Sequence, residues 1–261
     1  MDRTLTKDTI LKVGERVLLK GWVTTRRDHG KIVFLDLRDR WSMVQVVATA
    51  EIAGEVNSEW VVAITGKVKA RPERLVNEKI ATGKIEIEAE KIEILSRAKT
   101  LPLPIDADGY DINEETRLKY RYLDLRRARL QRNIASRSRF VDFARQFLFS
   151  KDFLEIETPL LTKSTPEGSR DFLVPSRLQQ GKFYALPQSP QQYKQLLMAS
   201  GFERYFQIAK CIRDEDLRAD RGFEHTQIDL EMSFVEREDV MRIDEELITT
   251  IVEQMGMKIK Q

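Results

Sequence analysis

The sequence predicts an α+β protein in two parts, a five-stranded β-barrel followed by an antiparallel sheet flanked by helices. Two observations carry this. The first hundred residues read as β-branched and aromatic runs of period two, whereas from residue 114 onward helical periodicity alternates with short strands. Between the halves lies Leu101-Pro102-Leu103-Pro104, which must be extended because proline locks φ and keeps the preceding residue out of the α region. A length of 261 residues, at roughly 150 residues per domain, leaves room for one large or two modest domains.

The predicted strands of the first part are Arg16 to Val23, Lys31 to Arg38, Met43 to Val47, Trp60 to Val68, and Lys84 running on to Leu95. Each is bounded by Gly, Asp, Asn or Pro, and residues 49–59 have room for a short helix after the third strand. Five strands with a helix after the third match the OB barrel, whose open face binds single-stranded nucleic acid or sugars. An SH3-like barrel or half a sandwich gives similar spacing. Residues 1–100 are therefore one domain, 101–115 a hinge, and 116–261 a second domain. In the latter, helical periodicity covers 114–126 and 128–151. Strands follow at 154–157, 172–174 and 183–186, then a helix at 190–199 with proline at its start. Long strands at about 203–213 and 223–235 frame a polar loop, and an amphipathic helix covers 237–255.

Composition excludes several classes. Hydrophobic residues make up 41% and charged residues 33%, which is ordinary for a globular chain and unlike collagen or disorder. No apolar run approaches the ~18 residues of a membrane span, and the polar first eight residues are no secretory signal. A lone Cys211 excludes a disulfide scaffold and fits the cytoplasm; with only two His, a zinc site is not expected. The net charge of +2 conceals segregation: residues 117–139 hold nine Arg or Lys against Asp124, and 228–246 hold eight acids against two Arg. The basic stretch suggests an interface or nucleic-acid contact, although a solvated helix face explains it as well.

Three polar segments have the residues for chemistry. Arg213-Asp214-Glu215-Asp216, running through Leu217 to Arg221 and on to His225-Thr226-Gln227-Ile228-Asp229, joins two apolar strands. A guanidinium at the end of such a strand can hold a phosphate and a carboxylate bidentately. Thr165-Pro166-Glu167-Gly168-Ser169-Arg170-Asp171 offers a carboxylate for an ammonium group, and Gln188-Ser189-Pro190-Gln191-Gln192-Tyr193-Lys194 offers donors and a cation at a rigid turn. Taken singly, each such residue is more often a surface residue or part of a salt-bridged hairpin tip. Together they outline a pocket for a zwitterion beside a polyphosphate.

These segments resemble the class II aminoacyl-tRNA synthetases, and within them the bacterial-type aspartyl group. Arg121-Tyr122-Leu123-Asp124-Leu125-Arg126-Arg127 looks like the helix start shared by the aspartyl, asparaginyl and lysyl enzymes. Phe153 to Leu161 looks like motif 1, and Arg213-Asp214-Glu215 through Asp229 like motif 2. The second part would then be an incomplete class II antiparallel-sheet domain. The resemblance implies ATP-dependent activation of L-aspartate and its transfer to tRNA(Asp). Arg213 would hold the α-phosphate and the substrate carboxylate, with Asp214 and Glu215 at the nucleotide. Glu167, Gln188, Ser189, Gln191, Gln192, Tyr193, Lys194, Gln227 and Asp229 would surround the aspartate. Arg27, Phe34 and Gln45 would read anticodon bases; from the residues alone, Phe34 is as readily core as stacking platform. A homodimer with Pro159 at its interface is implied as well.

Four features depart from or refine the pattern. His225 stands where the family places a Phe stacked on adenine, and Gly222 where a Gln touches ATP. His29, between Asp28 and Gly30, resembles the type that also charges tRNA(Asn). A motif 3 with its Gly-rich strand and Arg does not follow Gly222, nor do the acids that hold Mg²⁺, so this reads as an N-terminal fragment that does not form aspartyl-adenylate alone. No metal ligand is assigned within it. From a different class, a non-catalytic RNA-binding paralogue would keep the same barrel and partial sheet; intact Lys194, Arg213 and Glu215 argue against it.

Overall fold

The computed structural model describes residues 1–259 apart from Trp41, Pro166 and Asp220. Pro166 and Asp220, which belong to polar segments singled out above, and the last two residues of the second predicted domain thus lie outside the described residues. The chain divides into two compact units, Met1–Pro104 and Ile105–Gln261.

In the first unit a 3-10 helix (Thr6–Lys12) precedes β1 (Arg16–His29), β2 (Ile32–Arg38), β3 (Met43–Thr49), α1 (Ala50–Ala53), β4 (Val61–Ala70) and β5 (Ile85–Ser96), with a 3-10 turn at Glu73–Leu75. The strands close into a barrel in the order β1-β2-β3-β5-β4, with β3 and β5 parallel and every other pair antiparallel. Alternation puts Val33, Leu35 and Leu37 of β2 and Val44 and Val46 of β3 inside, fully buried. Each such side chain contributes about 1.5–3 kcal/mol of burial.

β1 runs six residues past its expected end at Val23. Its first half bonds to β4 and its second, polar half to β2, with the register shifting between Val23 and Thr25. Backbone pairing with β2 holds the second half where alternation has faded. Such a coiled strand needs close approaches. A Cβ on Gly21 would lie 2.2 Å from the Arg38 carbonyl oxygen, and one on Gly66 2.3 Å from that of Glu88. The helix expected over 49–59 is a single turn, because Gly54 (φ 50°) ends it and the chain then buries Val56 at the barrel end.

The second unit comprises α2 (Glu114–Lys119), α3 (Arg121–Asp124), α4 (Ala128–Ser150), β6 (Leu154–Glu155), β7 (Leu173–Pro175), β8 (Phe183–Ala185), α5 (Gln191–Ala199), β9 (Arg204–Ile212), β10 (Glu224–Met232) and α6 (Arg237–Gln254). β9 and β10 pair antiparallel along their whole length, as expected, while the two-residue β6 joins β9 in parallel. Ala144, Phe147 and Leu148 of α4 and Leu247 and Ile251 of α6 pack with Phe206, Ile228, Leu230 and Met232 to form the core. That core takes the even-numbered residues of β10, so His225, Gln227, Asp229 and Glu231 face the opposite side.

The helix expected over 114–126 is broken at Tyr120 (φ −109°, ψ 39°). Just beyond the break Asp124 is fully buried and accepts hydrogen bonds from Arg117 (3.2 Å), Arg121 (2.9 Å) and Arg127 (2.7 Å). A buried carboxylate needs such partners. Among the described residues, no helix is long and apolar enough to cross a membrane.

Candidate functional site

The site in the second unit sits on the face of β9 and β10 opposite α4 and α6. Its wall is the turn from β8 into α5, held to the end of β9 by a bond from Ile212 N to the Pro187 oxygen (2.9 Å). Pro190 starts α5, and one turn later Lys194 points onto β10. Its Nζ lies 3.2 Å from Asp229 Oδ1 and 3.1 Å from Glu231 Oε2, with only 12% of the lysine side chain exposed. Burial pulls the Lys194 pKa down, but the two carboxylates outweigh it and the ammonium is held charged above its usual range. Asp229 is pushed up, first by burial and then by Glu231 and Glu167, with Lys194 opposing. The Lys194 shift thus reflects its two carboxylate neighbours, and the Asp229 shift chiefly its burial.

Around this pair, Ser189 Oγ donates to Glu167 at 2.8 Å. Gln188 is 1% exposed and bonds to Ser169, Thr165 and Asp171 of the Glu167 loop. Gln191 N donates to Ser189 Oγ (3.3 Å), Tyr193 OH bonds to Thr162 Oγ1 (3.1 Å), and Gln192 lies on the exposed side of α5. Gln227 Oε1 accepts from Cys211 Sγ at 3.2 Å. That thiol is buried, which pushes its pKa up to about 11, so it is no nucleophile at neutral pH.

Arg213, half-buried just past β9, donates from Nε to the Gln188 carbonyl at 3.4 Å, and its own N donates to Phe223 O at 2.8 Å. Asp214 N bonds to Arg170 O at 3.0 Å, which ties the Glu167 loop to the strand end. Glu215 is exposed and His225 half-buried. Pro159 is exposed, beside Leu160 and Leu161 at 49% and 54% exposure.

In the first unit, Arg27, Phe34 and Gln45 share the outer face of β1, β2 and β3. Phe34 alternates with buried Val33 and Leu35, stays outside the core, and meets His29 edge-to-face with ring centres 5.5 Å apart. Arg27 grips Asp36 with two bonds of 2.6 and 3.0 Å, and Gln45 Nε2 donates to Glu86 at 3.3 Å.

Sequence reasoning missed Glu231 and Glu86, and gave Asp171, within a segment it singled out, no role of its own. Glu231 carried a usable signal: it is two residues beyond Asp229 on a period-two strand and must share its face. Asp171 and Glu86 are partnered across 17 and 41 residues, which no local pattern shows. No group of three or more His, Cys, Asp or Glu among the described residues is arranged to hold a metal ion.

Arg213 at a strand end and the shielded Lys194–carboxylate group belong to the second unit, and a barrel with a charged, aromatic outer face forms the first. Residues 113–261 match the tRNA synthetases class II (D, K and N), and residues 17–95 match the OB-fold nucleic acid binding domain of the tRNA anti-codon type. The chain belongs to the class II tRNA synthetases. It is 56% identical over 259 residues to the aspartate–tRNA(Asp/Asn) ligase of Thermoanaerobacter sp. (strain X514), covering 96% of this chain and 44% of that protein. It is 57% identical over 247 residues to the aspartate–tRNA ligase of Geobacillus kaustophilus (strain HTA426), covering 92% and 42%. The crystal structure of asparaginyl-tRNA synthetase from Pyrococcus horikoshii complexed with asparaginyl-adenylate superposes with a TM-score of 0.84 at 25% identity, over 97% of this chain and 58% of that one. The chain thus spans less than half the length of the curated relatives it matches.

Proposed function

We propose that this chain supplies the anticodon-binding barrel and the first part of the catalytic domain of an aspartate–tRNA ligase. The single observation that carries this reading is Lys194, held charged between Asp229 and Glu231 on β10. The ammonium takes the side-chain carboxylate of L-aspartate, while Glu167 and Asp229 take its ammonium group. Ser189, Gln191, Tyr193 and Gln227 close the pocket around them.

The α-carboxylate attacks the α-phosphorus of ATP and pyrophosphate leaves. Arg213 offsets the charge that gathers at that phosphorus, with Asp214, Glu215 and His225 around the nucleotide. A terminal ribose hydroxyl of tRNA then takes the aspartyl group and AMP departs. Both steps need positioning and electrostatic stabilisation, and no side-chain nucleophile. On the barrel, Phe34 stacks on a base, while Arg27 and Gln45 bond to base edges. tRNA(Asp) is the nucleic-acid substrate. His29 beside Phe34, with relatives whose names state both tRNAs, supports tRNA(Asn) as a second. The working form is a cytoplasmic homodimer, with exposed Pro159, Leu160 and Leu161 at its interface.

Two titrations of the whole chain test this. L-Aspartate is expected to bind at least tenfold more tightly than L-asparagine, and an anticodon stem-loop of tRNA(Asp) more tightly than one with its middle base changed. Equal binding of the two amino acids, or of the two stem-loops, overturns the corresponding half.

A further inference from the structure

Gln188 is buried to 1% exposure at the turn before α5, and its side chain faces the loop that carries Glu167. Its Oε1 accepts from Ser169 N at 3.2 Å. Its Nε2 donates to Ser169 O at 2.9 Å and to the Asp171 carboxylate, with Thr165 O at 3.5 Å. Asp171 folds the loop back on itself by accepting from Ser164 Oγ and from Thr165 N. The neighbouring Ser189 bonds to the Glu167 carboxylate itself. Two consecutive residues thus hold one loop, Gln188 by its frame and Ser189 by its charge.

We propose that Gln188 is a positioning residue, which latches the loop of Thr165, Glu167, Ser169 and Asp171 so that the Glu167 carboxylate stands ready for the ammonium of the amino acid, without itself touching the ligand. This rests on the aspartate reading above.

The chemistry of the amide explains the choice of residue. The loop presents an N–H together with carbonyl oxygens and a carboxylate, and a primary amide has the acceptor and the two donors to match. Leu matches none of them, and an ionised Glu only the first. A latch is required because the charge of Glu167 acts on Asp229, and like charges drive an untethered carboxylate out of the pocket. The ammonium group has a site only if the loop is held against that repulsion.

The experiment compares the whole chain with Gln188→Leu and with Gln188→Glu, which keeps size and the Ser169 acceptor should the leucine variant fail to fold. Amide hydrogen exchange is followed at residues 167–171 and along β9 and β10, and L-aspartate and succinate are titrated calorimetrically. Succinate has both carboxylates but no ammonium. In each variant the amides of 167–171 are expected to exchange at least tenfold faster while β9 and β10 keep their protection. L-Aspartate should bind about tenfold more weakly while succinate binds as before. Unchanged loop exchange with weakened aspartate binding overturns the proposal, since Gln188 would then touch the ligand. An equal loss for succinate, or general deprotection of the strands, overturns it too. If the unaltered chain binds no aspartate, the aspartate reading fails, while the exchange at 167–171 still decides whether Gln188 is the latch.

Discussion

The two units place polar residues in opposite ways. The barrel closes on its own apolar core, and Arg27, Phe34 and Gln45 stand outside it in small solvent-facing pairs. In the second unit the polar face of β10 is turned inward against α5, where Lys194 and Asp229 are nearly shielded from water. The difference teaches that on the barrel the proposed binding side chains stand apart from those that stabilise the fold, whereas in the second unit the proposed binding side chains are also the ones whose charges must be paired. Substitutions should separate the two cases.

The largest loss is expected inside the barrel. Leu35→Ala, at a fully buried position, should lower the unfolding free energy by about 3–5 kcal/mol in urea titrations. Lys194→Met comes next, at about 2–4 kcal/mol, because it leaves two shielded carboxylates without their cation. The triple variant with Asp229→Asn and Glu231→Gln should recover most of that. A Lys194→Met chain as stable as the original would show that the two units do not differ in this way.

Asp229→Asn is the sharper test. Its pKa is raised, so its protonated form is favoured on folding. That contribution is fully present below the ordinary carboxylate range and is lost as pH rises through the raised value. Where it is ionised the group is therefore a burden on folding, and its replacement should change stability by under about 1 kcal/mol while Glu231 keeps Lys194 paired. Asp171 has the opposite sign. Burial pushes it up, but the bonds from Ser164, Gln188 and Thr165 bring it below the ordinary value. Its contribution is present above that value and fades as pH falls through the lowered one, and Asp171→Asn should flatten this acid limb of the stability curve.

The smallest stability effects belong to the barrel face. Phe34→Ala should cost under about 1 kcal/mol of folding yet weaken stem-loop binding by about 1–3 kcal/mol, the worth of one stacked base. Arg27→Ala, at a pair whose arginine is 42% exposed, should move stability by no more than about 1 kcal/mol.

Much of this organisation is legible in the chain itself. Alternation in Val33-Phe34-Leu35-Asp36-Leu37 specifies a strand with one buried face, and the same period assigns Gln227 and Asp229 to one side of β10. Order along the chain also brings Arg213, Lys194 and Glu167 into consideration together. What stayed hidden has a common physical cause. Beside the break at Tyr120 three arginines converge on buried Asp124, a meeting to which the local helical pattern is blind. The hold of Gln188 on a loop 17 to 23 residues earlier is of the same kind.

The sequence by itself therefore determined most of the elements, the alternation of the strands and the inventory of chemical groups. Periodicity and side-chain type are local properties, and burial of apolar faces obeys them. Only the tertiary structure decided which charges meet, that Phe34 stands outside the core, and that Lys194 serves two carboxylates at once. Pairing is set by distances across the fold, and a charge shielded from water acts according to its neighbours rather than its place in the chain.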